Sequence, residues 1–283
     1  MKIMVTGAAG QLGHDVTAEL SRRGIEKLGV DLADFDITDS AAVLSAIFAY
    51  RPDTVIHCAA YTAVDKAEDN RELCRAINVD GTRNIAAACK QIGAALMYIS
   101  TDYVFGGEGD LPFETGSPRG AQSFYGLTKQ QGEDEITALI SNYFIVRISW
   151  VFGRCGANFV KTMLRLAEKG EVNVVCDQIG SPTYTPDLSA LLCDMIVTEQ
   201  YGVYHATNEG FCSWAEFAEE IFRRAGKTVK VNHIASEDYL TRAVRPKNSR
   251  LSKKSLDAAG FKRLRPWQEA LAHYLAANAV CEP

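Results

Sequence analysis

Residues 1–31 read MKIMVTGAAGQLGHDVTAELSRRGIEKLGVD, and this stretch decides the fold. A short apolar run from Lys2 to Thr6 predicts a strand, and a segment of helical period follows from Gln11 to Arg23. A second strand is expected over Lys27 to Asp31. Between the first strand and the helix lies TGAAGQLG, which spaces Gly7, Gly10 and Gly13 so that the chain turns tightly, backbone can approach a pyrophosphate, and helix packs on strand. The phosphates would then sit on the helix N-terminus. Asp31 closes the second strand, where a carboxylate accepts hydrogen bonds from an adenosine ribose and repels a 2′-phosphate. On that local argument NAD(H) should bind at least as well as NADP(H).

The alternation continues with strands expected over Thr54–Cys58, Leu96–Thr101 and Phe144–Ser149, and helices over Ser40–Tyr50, Asn78–Ile92 and Gly126–Ser141. Nearly all-apolar strands joined by helices make a parallel sheet covered on both faces. The expected fold class is α/β: a doubly wound parallel sheet of the Rossmann type over residues 1–153. Beyond Trp150 the rhythm weakens to short strands near Val172–Cys176, Val203–Ala206 and Val229–His233, with helices over Asp187–Thr198, Ser213–Ala225 and from Pro266 onward. Residues 154–283 are assigned mainly to a small mixed α/β C-terminal lobe that binds substrate, its elements free to interleave with the first domain.

A chain of 283 residues suits one large α/β unit with such a lobe. The net charge of -5, without a long run of like charges, argues against a nucleic-acid partner. The apolar start reaches glycine too soon for a signal segment or a membrane span, so a cytoplasmic protein with no membrane partner is expected. Eight cysteines (Cys58, Cys74, Cys89, Cys155, Cys176, Cys193, Cys212 and Cys281) are scattered singly, and five histidines are dispersed. Neither set has metal-ligand spacing, so reduced, buried thiols and no metal are expected.

Chemistry enters where the fourth strand ends in Ser100 and Thr101 and the next helix opens SFYGLTKQQGE. Tyr125 and Lys129 stand at i and i+4, on one helical face. A carbonyl reduced by hydride needs a proton for its developing alkoxide. A phenol supplies one more readily when an ammonium lies near. Thr101, at the C-terminal end of its strand, would bind the substrate oxygen in the crevice where open α/β sheets take ligands.

The segments TGAAGQLG, CAAYTAVDKAE, NVDGTRNIA, STDYVFGG, YGLTKQQGE, RISWVFG, NFVKTMLRLA, DQIGSPTYTPDLS and RPKNSRLS together resemble the dTDP-4-dehydrorhamnose reductase family, within the extended short-chain dehydrogenases/reductases. The similarity spans almost the whole chain. It implies reduction of the 4-keto group of dTDP-4-dehydro-L-rhamnose to dTDP-L-rhamnose, with NADPH or NADH as cofactor and a nucleotide sugar as the small-molecule partner; a homodimer is left open. Carried over by position, Tyr125 is the proton donor, Lys129 its partner, and Thr101, Asp102 and Trp150 meet the sugar. Arg245 and Asn248 lie in a loop that the family folds over the nucleotide. The cofactor contacts implied are Gly10, Gln11, Leu12, Asp31, Asp36, Ile37, Ala60, Tyr61 and Thr62, with Tyr125 and Lys129 at the nicotinamide ribose.

Two positions depart from the family pattern: Gly106 replaces a usual Asp, and Phe124 a smaller aliphatic. Read from the residues alone, Trp150 also suits core packing, and the loop around Arg245 an ordinary solvated stretch. Two rival functions stay open. One is another nucleotide-sugar reductase or an epimerase; the other is a non-catalytic subunit similar to the regulatory subunit of methionine adenosyltransferase.

Overall fold

Strand β1 (Lys2–Thr6) sends Ile3 and Val5 to one side of a sheet and Met4 to the other, each fully buried. The computed structural model, which describes residues 1–279, continues through α1 (Gln11–Arg22), β2 (Glu26–Val30), α2 (Ser40–Tyr50) and β3 (Thr54–His57). Two short helices, α3 (Val64–Ala67) and α4 (Arg71–Arg75), run through a π-helical turn at Ala76–Gly81 into α5 (Thr82–Ile92). Then come β4 (Ala95–Thr101), α6 (Phe124–Leu139) and β5 (Tyr143–Ile148). Cys281 lies outside the described residues; the seven described cysteines are free.

After β5 the chain enters a lobe through β6 (Val151–Phe152), α7 (Phe159–Leu166), β7 (Glu171–Val175), β8 (Ile179–Gly180) and β9 (Thr183–Tyr184). It leaves again for α8 (Thr185–Met195) and β10 (Gly202–His205), and β10 pairs in parallel with β5. A second visit follows: β11 (Cys212–Ser213), α9 (Trp214–Arg224) and β12 (Lys230–Ile234), after which α10 (Lys254–Ala258) packs on β10 and α11 (Trp267–Ala279) returns to the lobe. A division at residue 153 is therefore crossed by α8 and β10, and by Leu256 of α10, which joins the core of the first sheet.

The main sheet has six parallel strands in the order β10, β5, β4, β3, β1, β2. Strand order reverses direction between β1 and β3, the point where a doubly wound sheet opens a crevice at its C-terminal edge. On one face Leu12, Val16 and Leu20 of α1 meet Leu188, Leu191 and Leu192 of α8; on the other, Val43 and Ile47 of α2 meet Ile85 and Cys89 of α5 and Ile136 of α6. Burying a side chain of this size contributes about 1.5–3 kcal/mol, which is why β1, β3 and β4 carry unbroken apolar runs. β2 departs from that expectation because it is the sheet edge, with Glu26 and Leu28 in solvent. The lobe has its own core, in which Phe152, Tyr184, Phe217, Trp267 and Tyr274 pack around the parallel pair β7 and β12. Among the described residues no helix is long and apolar enough to cross a membrane.

Candidate active site

The three glycines of the first turn serve different needs. Gly7 has φ +68°, and a Cβ there would fall 2.7 Å from the Ala59 nitrogen. At Gly13 a Cβ would fall 2.1 Å from the Gly7 carbonyl oxygen, so the close approach of helix to turn forbids any side chain. Gly10 meets only the Gly7 oxygen, at 3.1 Å. It caps α1 with no side-chain hydrogen bond, leaving the first N–H groups of the helix for a ligand. Gln11 ties this turn to the lobe, donating to the Val151 carbonyl at 3.3 Å and accepting from Asn158 at 2.9 Å.

Asp31 stands at the rim just beyond β2. One of its oxygens accepts from the Ala9 N–H at 2.9 Å, so this carboxylate fixes the glycine turn. Asp36 accepts from the Thr38 N–H and hydroxyl, both at 2.8 Å. A cavity of about 990 Å³ runs from here to α6, lined by the glycine turn, Gln11, Leu12, Asp31, Asp36, Ile37, Ala60 and Thr62, then Thr101, Asp102, Tyr125, Lys129 and Trp150.

Helix α6 starts two residues earlier than periodicity suggests because the Ser123 hydroxyl accepts from the Gly126 N–H at 3.2 Å. Two glycines let it press on the end of β4: a Cβ at Gly126 would fall 2.3 Å from the Tyr103 carbonyl oxygen, and one at Gly132 2.4 Å from the Tyr98 hydroxyl. That approach brings Tyr125 to Thr101 and Lys129 into the wall of the same cavity. Burial pushes the Tyr125 phenol well above its usual range, with a hydrogen bond to Thr101 pulling the other way and the Asp102 charge adding to the rise. Burial lowers Lys129 to about 7, opposed by the Glu133 carboxylate. The lysine is 2% exposed, and its ammonium lies 3.9 Å from the centroid of the Tyr98 ring. It makes no hydrogen bond among the described residues, which leaves its donors to a ligand in the cavity. Asp102 accepts from Thr101 at 3.0 Å. Burial raises its carboxyl to about 6, against the pull of Ser249 and Thr101. Its Oδ2 makes no well-formed hydrogen bond within the protein.

Residues 1–280 match the family model for the RmlD substrate binding domain. The chain belongs to that family. A dTDP-4-dehydrorhamnose reductase from Streptomyces griseus is 42% identical over 276 residues, 95% of this chain and 91% of the relative. The crystal structure of a dTDP-4-dehydrorhamnose reductase from Clostridium acetobutylicum superposes with a TM-score of 0.96 at 42% identity, covering 99% of this chain and 100% of that one. A dTDP-4-dehydrorhamnose reductase from Bacillus anthracis, solved in complex with NADP, gives a TM-score of 0.95 at 42% identity, covering 98% and 99%.

In this member of the RmlD family, three residues singled out from sequence stand outside the cavity wall: Tyr61, Arg245 and Asn248. Tyr61 is held through its backbone, its N–H donating to Asn78 Oδ1 at 2.8 Å and its carbonyl accepting from Asn78 Nδ2 at 3.2 Å. Arg245 makes a two-pronged pair with Asp65, at 2.7 and 3.2 Å. Asn248 is buried and donates to the Leu111 carbonyl at 2.8 Å, which anchors the neighbouring loop. Of the two departures from the RmlD pattern, Gly106 lies beside the exposed Glu108 carboxylate, 2.3 Å from where a Cβ would fall, a flexible group that could swing aside, so nothing in the structure requires glycine there. Phe124 carries the Arg71 guanidinium 5.0 Å from its ring centroid.

Two further groups support the site and have no role in the sequence reading. Asn78, in the π-helical turn, also donates to Thr128 at 3.1 Å, and Thr128 donates to the Tyr125 carbonyl at 2.9 Å. One amide thereby joins the Tyr61 loop to α6. Beneath the cavity, Glu133 accepts from the Ser100 hydroxyl at 2.5 Å and from Arg119 at 3.2 Å. Its place four residues beyond Lys129, on the same helical face, was the signal that could have marked it. His57 is buried beside them. Since Thr82 spends its hydroxyl hydrogen on the Asn78 carbonyl at 2.8 Å, His57 Nε2 is the donor toward Thr82 and Nδ1 accepts from Thr6 at 2.7 Å.

Proposed function

We propose that the protein reduces the 4-keto group of dTDP-4-dehydro-L-rhamnose to give dTDP-L-rhamnose, using NADPH or NADH. The observation that carries this reading is the meeting of Thr101, Tyr125 and Lys129 with the glycine turn in one cavity. The residues fit a dinucleotide: the close approach at Gly7 and Gly13 shapes the turn, Gly10 leaves the α1 N–H groups open, and Asp31 lies at the ribose end. When bound, the reduced nicotinamide supplies a hydride to the carbonyl carbon.

The protein does the rest. Thr101 and Tyr125 hold the carbonyl oxygen between two hydroxyls, so the charge that develops there meets donors already in place. Tyr125 gives its proton to that oxygen. A phenol raised by burial is a reluctant acid, and in this reading an ammonium at Lys129 offsets this as it binds the ribose hydroxyls. Asp102 and Trp150 line the sugar end of the cavity. Arg245 and Asn248 contribute by fixing the loop against Asp65 and Leu111. The reading carries with it a cytoplasmic location, consistent with seven free cysteines among the described residues.

The test mixes purified protein with NADPH or NADH and a panel of 4-keto sugar nucleotides and follows the absorbance of the reduced nicotinamide. Stoichiometric loss with dTDP-4-dehydro-L-rhamnose is expected. Turnover of the sugar without net oxidation would point to an epimerase. No turnover, together with a stable complex with another enzyme, would point to a regulatory subunit.

A further inference from the structure

Trp150 has φ +48°, one of two non-glycine residues among those described with a left-handed backbone. An indole in that region is strained and persists only where its surroundings over-determine it. They do so here from both directions. The Thr183 N–H donates to the Trp150 carbonyl at 3.1 Å, the Thr183 hydroxyl to the Ser149 carbonyl at 2.5 Å, and the Ser149 hydroxyl to the Ser181 carbonyl at 2.7 Å. The ring itself is seated by the lobe. Trp214 stacks on it with centroids 3.7 Å apart and planes within 15°, and a Cβ at Gly180 would fall 2.8 Å from its edge.

Trp214 is in turn fixed where it stands. It opens α9 directly after a capping box, in which Ser213 accepts from the Glu216 N–H at 3.1 Å and its own N–H donates to Glu216 at 2.6 Å. Cys212 pairs with Gly180 across β11 and β8, so both surfaces that grip the Trp150 ring belong to one small unit. Phe159 packs behind Trp214 at 4.6 Å. Trp150 lines the cavity and Trp214 does not.

We infer that Trp214 is a positioning residue for the sugar: with Gly180 it holds Trp150 in its strained geometry, so a lobe residue outside the cavity sets the wall that the sugar meets. This rests on the reductase reading above. One indole face is committed to Trp214, and the surface left to the cavity is a rigid apolar wall suited to the apolar side of a deoxyhexose. The glycine turn reaches this unit through Gln11, which bonds Val151 and Asn158 and neither indole. Sugar binding and cofactor binding are therefore separable at Trp214.

The experiment compares Trp214→Ala, Trp214→Phe and Gly180→Ala with the parent protein. It measures NADH affinity, KM and kcat on dTDP-4-dehydro-L-rhamnose, equilibrium binding of dTDP-L-rhamnose, and the circular dichroism couplet of stacked indoles. Trp214→Ala should lose the couplet, raise KM and weaken dTDP-L-rhamnose about tenfold, and leave NADH affinity within about twofold. Trp214→Phe should recover most of the KM. Unchanged KM in a folded Trp214→Ala protein, or a parallel loss of NADH affinity, overturns the inference. Should Trp214→Ala fail to fold, Gly180→Ala decides: it should shift the couplet and raise KM, and normal values for both overturn the inference. A parent protein that neither turns over nor binds these sugar nucleotides refutes the reductase reading, and this inference with it.

Discussion

Glu133 gives one carboxylate oxygen to each prong of Arg147: Nε donates to Oε1 at 2.8 Å and a terminal nitrogen to Oε2 at 2.7 Å, both side chains buried. The pair lies under Lys129, whose charge Glu133 supports against burial. In Glu133→Gln the arginine stays buried without its counter-charge, and breaking such a pair costs about 3–5 kcal/mol. Lys129 should lose its proton at lower pH than the parent's value of about 7. Urea denaturation should report the first effect. The second should appear as an alkaline limb of kcat/KM displaced to lower pH. A folded variant with an unmoved limb would show that Glu133 does not act on Lys129.

Tyr125→Phe removes the proton source and keeps the ring that meets Tyr103 edge-on at 5.7 Å. Turnover should fall about 10²- to 10⁴-fold, the range of general acid catalysis, with NADH affinity preserved. Lys129→Met should reduce both turnover and cofactor affinity. Because one residue works through the other, the double variant should be little worse than the poorer single one. Steady-state kinetics on all three variants decides this, and multiplicative losses would mean independent roles.

The glycine turn allows fold and cofactor to be told apart. Gly13→Ala places a methyl 2.1 Å from the Gly7 oxygen and should lower the melting temperature by several degrees. Gly10→Val meets the protein only at 3.1 Å, so the fold should survive while dinucleotide affinity is abolished. Calorimetry with NADH on both proteins is the measurement; normal affinity in Gly10→Val would remove the dinucleotide from this turn.

Asp31→Ala should weaken NADH more than NADPH, since a ribose hydrogen bond goes and repulsion of a 2′-phosphate is relieved. The lost bond from the Ala9 N–H loosens the turn for both cofactors. The ratio of the two dissociation constants is therefore the informative quantity. An unchanged ratio would mean that Asp31 shapes the turn without choosing the cofactor.

Acid should destabilise the protein through its buried histidines. Burial lowers His57 and His205 to about 3, whereas an unfolded histidine binds its proton near 6.5. Below that pH the unfolded chain takes up protons that the native one refuses, so stability present above 6.5 is lost progressively toward 3. Asp102, raised to about 6, works oppositely: its share favours folding in acid and fades as pH rises through 6. Two histidines outweigh one carboxyl. Urea midpoints across this range should decline with falling pH in the parent, and decline less in His205→Asn.

What the sequence made readable was what the backbone demands locally. Gly7 and Gly13 sit where no side chain fits, and Tyr125 and Lys129 share a face because helical spacing leaves no alternative. The paired two-residue strands β6 with β9 and β8 with β11 were unreadable, since each exists only through pairing with a distant segment. The left-handed Trp150 is of the same kind: its cause lies in Thr183, Gly180 and Trp214, and nothing in WVFG announces it. Arg245 illustrates the matching difficulty for charge. An arginine in a loop reads as available, and its commitment to Asp65 depends on how two remote segments meet.

The return of α8 and β10 to the main sheet bears on how such proteins recombine. A hybrid spliced once, at residue 153, would carry the sixth strand along with the foreign lobe and ask an imported β10 to register against a native β5. An exchange of sugar specificity between relatives needs two junctions besides the one at 153, one before α8 and one after β10, so that β10 stays with its native β5. Diversification by point substitution within the lobe is the easier evolutionary route, and laboratory chimeras should be designed with paired breakpoints.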